Sequence, residues 1–225
     1  MQQARSARFR DMTLDGFVEL LGSAAPAPGG GSASAIAASL GASLVAMVGR
    51  LSEGREKYAA HSATHAWAIG AATELADRFL RLADEDAAAY DALAAAMKLP
   101  RETDDEKAAR TIALRHAALV ASEVPLRTVE ACAELAIAAD ALAGRSNRNA
   151  SSDLGVASLL AEAAVHGAAE NVYVNLPSLG DEPRAAALRE RASRCVEEVV
   201  AIGARVRAVV ASGEERAPLP AGAPR

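Results

Sequence analysis

Strand patterning is missing from this sequence. No stretch alternates apolar and polar residues at period two, and aromatic residues make up only 3% of the 225 positions. A half-buried sheet needs that alternation, and β-branched and aromatic residues are what fill it, so sandwiches, barrels and strand-first nucleotide folds are excluded. The two cysteines, Cys132 and Cys195, keep no metal or redox spacing and read as small core residues in a reducing compartment. Basic residues are outnumbered, 24 against 29, for a net charge of −5, and they are spread along the chain rather than clustered. That leaves no footprint for a nucleic acid. A long run of strongly apolar residues is also lacking. The uncharged stretch from Ala33 to Gly49 is about 17 residues of mostly Ala, Ser and Gly, where a membrane span wants some 20 of Leu, Ile and Phe. The basic opening MQQARSARFR runs on to Asp15 and Glu19 without the apolar core of a secretion signal. The expectation is a cytoplasmic protein with neither membrane nor nucleic acid among its partners.

What is present is helical periodicity. Thr13 caps the pattern Leu14, Phe17, Val18, Leu21, a short amphipathic helix placed to act as lid or brace. After the uncharged stretch comes a polar break, SEGREKY from Ser52 to Tyr58, in which Arg55 and Lys57 can meet an anion. One pattern then runs from Ala59 to Met97, its apolar stripe made by Leu75, Phe79, Leu82, Tyr90, Leu93 and Met97. Pro100 ends it, Thr103 with Asp104 and Asp105 starts the next helix, and Pro125 is expected to kink or restart that helix near Val124. A polar loop, GRSNRNASSD from Gly144 to Asp153, precedes a helix to about Val172, and a last amphipathic helix runs from about Glu182 to Ala211. The predicted fold is all-α, an antiparallel bundle of long Ala-rich helices. Residues 1–213 form one domain, and 214–225 are expected to be a disordered Pro/Ala/Gly tail.

The organising stretch is Ala24 to Val48, where two prolines and three glycines lead into a helix of small residues. Glycines reach backbone angles closed to other residues and let peptide N–H groups approach a ligand or a second backbone. Ser32 or Ser34 can cap the helix, and Ser34, Ala38 and Ala42 form a face suited to close helix packing. The dinucleotide fingerprint and the P-loop both need a preceding strand, and the P-loop also needs Gly-Lys-Ser/Thr. Neither applies, which leaves helix packing or dimer contact on one side and ligand lining on the other.

Asp86 falls on the apolar stripe between Leu82 and Tyr90, and an inward carboxylate needs a partner or a task. Asp153, Val156, Leu160, Ala164, Gly167 and Asn171 share one helix face whose polar ends and small middle suit a groove. His61 and His65 stand a turn apart without a third ligand at recognisable spacing, and no Glu-x-x-His pair occurs, so no metal is expected.

Together, PAPGGGSASAIAASLGASLVAMVGRLSEGREKY, the DEDAAAY of residues 84 to 90 and SNRNASSDLGVASLLAEAAVHGAAENVYVNL resemble the cyclodeaminase/cyclohydrolase family of folate enzymes, in order and spacing, over most of residues 14 to 210. The resemblance implies an all-helical homodimer without a separate cofactor, its tetrahydrofolate site lined by the glycine turn and the Asn/Ser/Asp loop. The residues so marked are Pro28, Gly29, Gly30, Gly31, Ser32, Asp86, Asn147, Asn149, Ser152, Asp153, Asn171 and Asn175, with Asp86 and Asp153 the candidate catalytic carboxylates. Asn149 and Asn171 suit the pterin edge, and Arg55, Lys57 or Arg148 the glutamate tail. Where the family pattern is Gly-Asn-Pro-Asn, this chain has Ser146-Asn147-Arg148-Asn149, a less turned and more basic loop. The implied reaction is hydrolysis of 5,10-methenyltetrahydrofolate to 10-formyltetrahydrofolate. The alternatives are a formiminotetrahydrofolate cyclodeaminase that releases ammonia and a non-catalytic folate-binding or dimerisation module.

Overall fold

Three of the helices start on a side-chain cap. Thr13 accepts a hydrogen bond from the Gly16 amide and opens α1 (Leu14–Leu21). Thr103 and Glu106 form a capping box at the start of α4 (Asp104–Leu142), and Asp181 caps α6 (Glu182–Ser212), which ends at Gly213 in the left-handed region. The computed structural model describes residues 8–220, and between these helices lie α2 (Gly30–Ser52), α3 (Ser62–Met97) and α5 (Ser151–Asn175). No strand occurs among the described residues. The all-α reading holds.

The bundle is built around α2, which lies antiparallel to both α3 and α5. Against α3, Ser32 meets the Ala83 carbonyl, Ser39 the Ala76 carbonyl and Gly49 the Ile69 side chain, so numbers rise on one helix as they fall on the other. Against α5, Gly30 faces Asn171, Ser34 faces Gly167, and Gly41 faces Ala157 and Leu160. Ala35, Ala38, Ala42, Val45 and Val48 are wholly enclosed between them. Small side chains make this possible, because a Cβ at Gly41 would stand 3.2 Å from the Ala157 carbonyl oxygen. α4 packs against both α3 and α5, and α6 closes the remaining side against α4 and α5. Ion pairs such as Arg78–Glu134, Arg127–Glu85 and Arg205–Asp140 tie neighbouring helices at the surface, where each contributes little.

Several expectations change. Ser34, Ala38 and Ala42 pack inside the chain itself and are not free for a partner. Neither Ser32 nor Ser34 caps α2: Gly29 occupies that place with no side-chain bond, and Ser34 bonds back to the Gly30 carbonyl. α4 does not restart at Pro125 but runs through it as one helix, the proline buried in the core. α1 is held chiefly through Phe17, whose ring meets Phe9 edge-on at 5.5 Å, while Leu14 and Val18 stay exposed. By length and composition α2 is apolar enough to cross a membrane, yet it is the core helix of this bundle. The start of the expected tail is strapped down, with the Arg216 amide donating to the Gly144 carbonyl and Arg145 Nε to the Ala217 carbonyl. Residues 221–225 lie outside the described residues.

If close α2–α5 contact sets the architecture, Gly41→Val should lower the free energy of urea unfolding by about 1–3 kcal/mol while helical circular dichroism persists. Unchanged stability would contradict the packing.

Candidate active site

The first turn of α2 has peptide N–H groups with no acceptor in their own helix, and Gly29 has no side chain to supply one. Asp86, from the middle of α3, takes that place. Its Oδ2 lies 3.0 Å from the Ser32 hydroxyl, which stands equally close to the Ala83 carbonyl, and the Ser32 amide also bonds toward the carboxylate. A Cβ on Gly31 would come within 2.6 Å of the Asp86 carboxyl carbon, so only glycine leaves room for this approach. The triplet serves proximity and not turning, since none of Gly29, Gly30 or Gly31 has a positive φ. Burial pushes the Asp86 pKa up, and the bonds from Ser32 oppose that shift without cancelling it. The carboxylate is therefore half-buried, desolvated and, among the described residues, without a cationic side-chain partner, although the α2 N-terminus faces it.

Across a cleft of about 230 Å³ stand Asn171 and Asn175, one turn apart on α5. Asn171 donates through Nδ2 to the Gly167 carbonyl at 2.8 Å. Asn175 donates through Nδ2 both to the Asn171 carbonyl and to the Ala121 carbonyl, each at 2.9 Å. Ala121 is free to accept because the residue four positions on is Pro125, which has no N–H to give it. The proline that failed to break α4 thus frees the carbonyl that fixes Asn175. With both of its amide hydrogens engaged, Asn175 keeps its Oδ1 as an acceptor for the cleft. Ala87, Leu93 and Ala121 supply apolar walls and Tyr90 an aromatic rim. Such a cleft suits a flat, hydrogen-bonding heterocycle carrying positive charge next to Asp86.

The structure divides the expected site residues in two. Gly29, Gly30, Gly31, Asp86, Asn171 and Asn175 line the cleft, Ser32 stands behind Asp86, and Pro28 is buried beneath the turn. Asn147, Asn149, Ser152, Asp153, Arg55, Lys57 and Arg148 are not there. They lie at the other end of α2, whose 23 residues span about 34 Å. Asn147 has a structural task at that end: its amide donates to Ser52 Oγ at 2.7 Å, and its Oδ1 accepts from the Asn149 amide at 3.1 Å. Ser152 is exposed, and Asp153 sits in the first turn of α5. Lys57 pairs with Glu215, and with Arg148 it lines a separate cavity of about 300 Å³ under the strapped residues 214–217. The face from Asp153 to Asn171 is no groove, because α2 fills its small middle. Sequence reasoning missed the Ala121 carbonyl, although a proline inside a helix pattern always signals an unpaired carbonyl four residues earlier.

Gly31→Ala should leave the bundle folded but drive the Asp86 carboxylate out of its position. A crystal structure of the variant that keeps the 3.0 Å contact between Ser32 and Asp86 would contradict the steric argument.

Comparison with known proteins agrees with the motifs. The chain is 36% identical over 200 residues to methenyltetrahydrofolate cyclohydrolase of Methylorubrum extorquens, covering 89% of this chain and 96% of that protein. It is 36% identical over 188 residues to formimidoyltransferase-cyclodeaminase of Rattus norvegicus, covering 84% of this chain and only 35% of that longer protein. The crystal structure of formiminotetrahydrofolate cyclodeaminase from Thermotoga maritima has the same fold, with a TM-score of 0.82 over 90% of this chain and 98% of that one at 22% identity. The family model described as formiminotransferase-cyclodeaminase matches residues 13–194. Spanned by that model over most of its length, and similar to the cyclohydrolase over 89% of it, the chain belongs to the formiminotransferase-cyclodeaminase family.

Proposed function

We propose that this protein hydrolyses 5,10-methenyltetrahydrofolate to 10-formyltetrahydrofolate, with Asp86 as its proton-handling group. The observation that carries this reading is the placement of Asp86: among the described residues it is the one carboxylate lining the cleft, half-buried, pressed against the glycine start of α2 and opposed by two anchored asparagines. The similarity to the Methylorubrum extorquens cyclohydrolase, over 96% of that protein, supports the same reaction. The methenyl carbon bridges two folate nitrogens and shares their positive charge, which a desolvated carboxylate stabilises. Water adds to that carbon and gives up a proton to Asp86. One carbon–nitrogen bond of the tetrahedral adduct then breaks: the proton returns from Asp86 to the leaving nitrogen, and the adduct's hydroxyl releases its own proton to solvent as it becomes the formyl carbonyl on the other nitrogen. A raised carboxyl pKa suits both halves of that exchange. Asn171 and Asn175 hold the heterocycle by its donor and acceptor edge. Asp153 has no part in this scheme, since it lies at the far end of α5.

Cyclodeamination is the second reading, favoured by the fold shared with the Thermotoga maritima enzyme and by the similarity to formimidoyltransferase-cyclodeaminases. There the folate nitrogen closes on the formimino carbon, and ammonia leaves from a similar tetrahedral centre. Purified protein offered each folate separately distinguishes the two, because the first reaction consumes the methenyl chromophore and the second creates it. Turnover of neither would leave the binding-module alternative.

The proposed assembly is a homodimer. Its basis is no longer Ser34, Ala38 and Ala42 but the open side of α2 and α5, where Leu40 is 56% exposed, Leu159 53% and Val156 47%. Sedimentation should report two chains, and Leu40→Glu should report one. A wild-type monomer at micromolar concentration contradicts this assembly.

Asp86→Asn should lower kcat by at least about a hundredfold, the scale of a positioned acid or base. The raised pKa also fixes a sign for stability. Folding binds the Asp86 proton more tightly than the unfolded chain does, so the stability this group contributes is fully present below the ordinary carboxylate pKa and is lost as pH rises through the raised value. The variant should therefore melt at or above the wild-type temperature at neutral pH, with its advantage shrinking in acid. Turnover within a fewfold of wild type, or a large drop in melting temperature at neutral pH, would count against Asp86.

A further inference from the structure

The hollow under residues 214–217 takes its walls from four parts of the chain: the 3-10 turn Glu56–His61, the loop between α4 and α5, the end of α6 and the strap itself. Two glycines shape it. A Cβ on Gly144, whose φ is 71°, would stand 2.6 Å from the Glu214 carbonyl oxygen, and one on Gly213, whose φ is 67°, would stand 2.6 Å from Arg148 Nη2. The strap and the Arg148 guanidinium come this close because both positions use the left-handed backbone that glycine tolerates and carry no side chain.

Several polar groups on these walls lack partners. Ser146 is only 8% exposed, and its hydroxyl makes no hydrogen bond among the described residues. The Tyr58 hydroxyl accepts from the Arg148 amide at 3.2 Å but has no acceptor for its own proton among the described residues. His61 Nδ1 is buried without a partner. Of the charged groups, Lys57 pairs with Glu215 and Arg216 with Asp140, while Arg148 and Glu214 have no ion pair among the described residues. Val209 and Val210 supply an apolar wall. A guanidinium fork beside hydroxyl donors matches the oxygens of a phosphate group, and a free carboxylate accepts from alcohol hydroxyls. At about 300 Å³ the hollow is at the small end of ligand pockets.

We propose that this hollow is a second ligand site, built for a small sugar phosphate, with the phosphate against Arg148, Ser146 and Tyr58 and the sugar hydroxyls toward Glu214. It does not depend on the folate reading, since the Asp86 cleft lies at the opposite end of α2. His61 reports on its occupancy. Burial holds the His61 pKa down, His65 and Arg145 press the same way, and Glu215 opposes them. A phosphate dianion on this wall pulls that pKa upward.

The test is calorimetry on the full chain with ribose 5-phosphate as the probe, beside ribose and inorganic phosphate. Ribose 5-phosphate should bind with a Kd below about 1 mM, and each of its halves at least about tenfold more weakly. Arg148→Gln should weaken binding of the probe by about tenfold or more and Ser146→Ala by about threefold or more, with urea midpoints near that of wild type. Arg148→Lys should recover part of the loss, because charge alone is retained. In NMR titrations the His61 ring should protonate at higher pH when the probe is bound. No binding at about 10 mM probe, equal affinity in wild type and both variants, or a His61 titration unmoved by saturating probe overturns the site. Inorganic phosphate as tight as ribose 5-phosphate overturns the sugar contact, and succinate as tight as ribose 5-phosphate overturns the choice of phosphate.

Discussion

The structure turns on the meeting of Asp86 with the first turn of α2. A helix that starts on three glycines has no side-chain cap of its own, and the half-buried carboxylate on α3 has lost part of its water shell. Each supplies what the other lacks. Ser32 bridges them through its hydroxyl, and the missing Cβ of Gly31 lets the two backbones come close enough. The compensation is partial, since burial still raises the Asp86 pKa. A group left in that state favours a cationic ligand, which removes the remaining cost by neutralising the charge. Stability and chemistry are in tension at this point, as they are wherever a site keeps a charge away from solvent.

That meeting is possible only because α2 is narrow. Alanine, serine and glycine on three of its sides let α3 and α5 approach together, and a leucine-faced helix in its place would hold them apart. The antiparallel register then decides which residues meet. Gly30 and Asn171 fall opposite one another at one end, and Ser52 and Asn147 at the other. Two polar clusters adjacent in no obvious order along the chain become the two ends of one rod. The closer packing also leaves large apolar side chains on the remaining open side, where Leu40 and Leu159 face water.

The far wall of the cleft depends on a second exchange of missing partners. Pro125 withholds a donor from Ala121, and Asn175 provides one from a different helix. Similarly, Gly180 makes room for Arg115 in the backbone conformation that glycine tolerates best. Residues that look like interruptions in a helical sequence are here the points at which neighbouring helices are keyed to one another.

The sequence by itself determined the class of fold, most helix limits and the family, because periodicity, caps and motif order are local properties written in consecutive residues. It also singled out Asp86, since a carboxylate on an apolar stripe is visible without coordinates. Thr13 and Thr103 start their helices as their capping chemistry requires. What it could not supply was the partner across space. The motif carrying Asn147, Asn149, Ser152 and Asp153 looked like part of the same site as the glycine turn, yet the length of α2 separates them within one chain. The small-residue face of α2 was equally suited to a neighbouring helix or a second chain, and the tertiary structure gave it to α3 and α5, because a buried helix satisfies its own chain first. Tertiary structure decided these points because they depend on register between helices, and register is set by all the packed side chains at once.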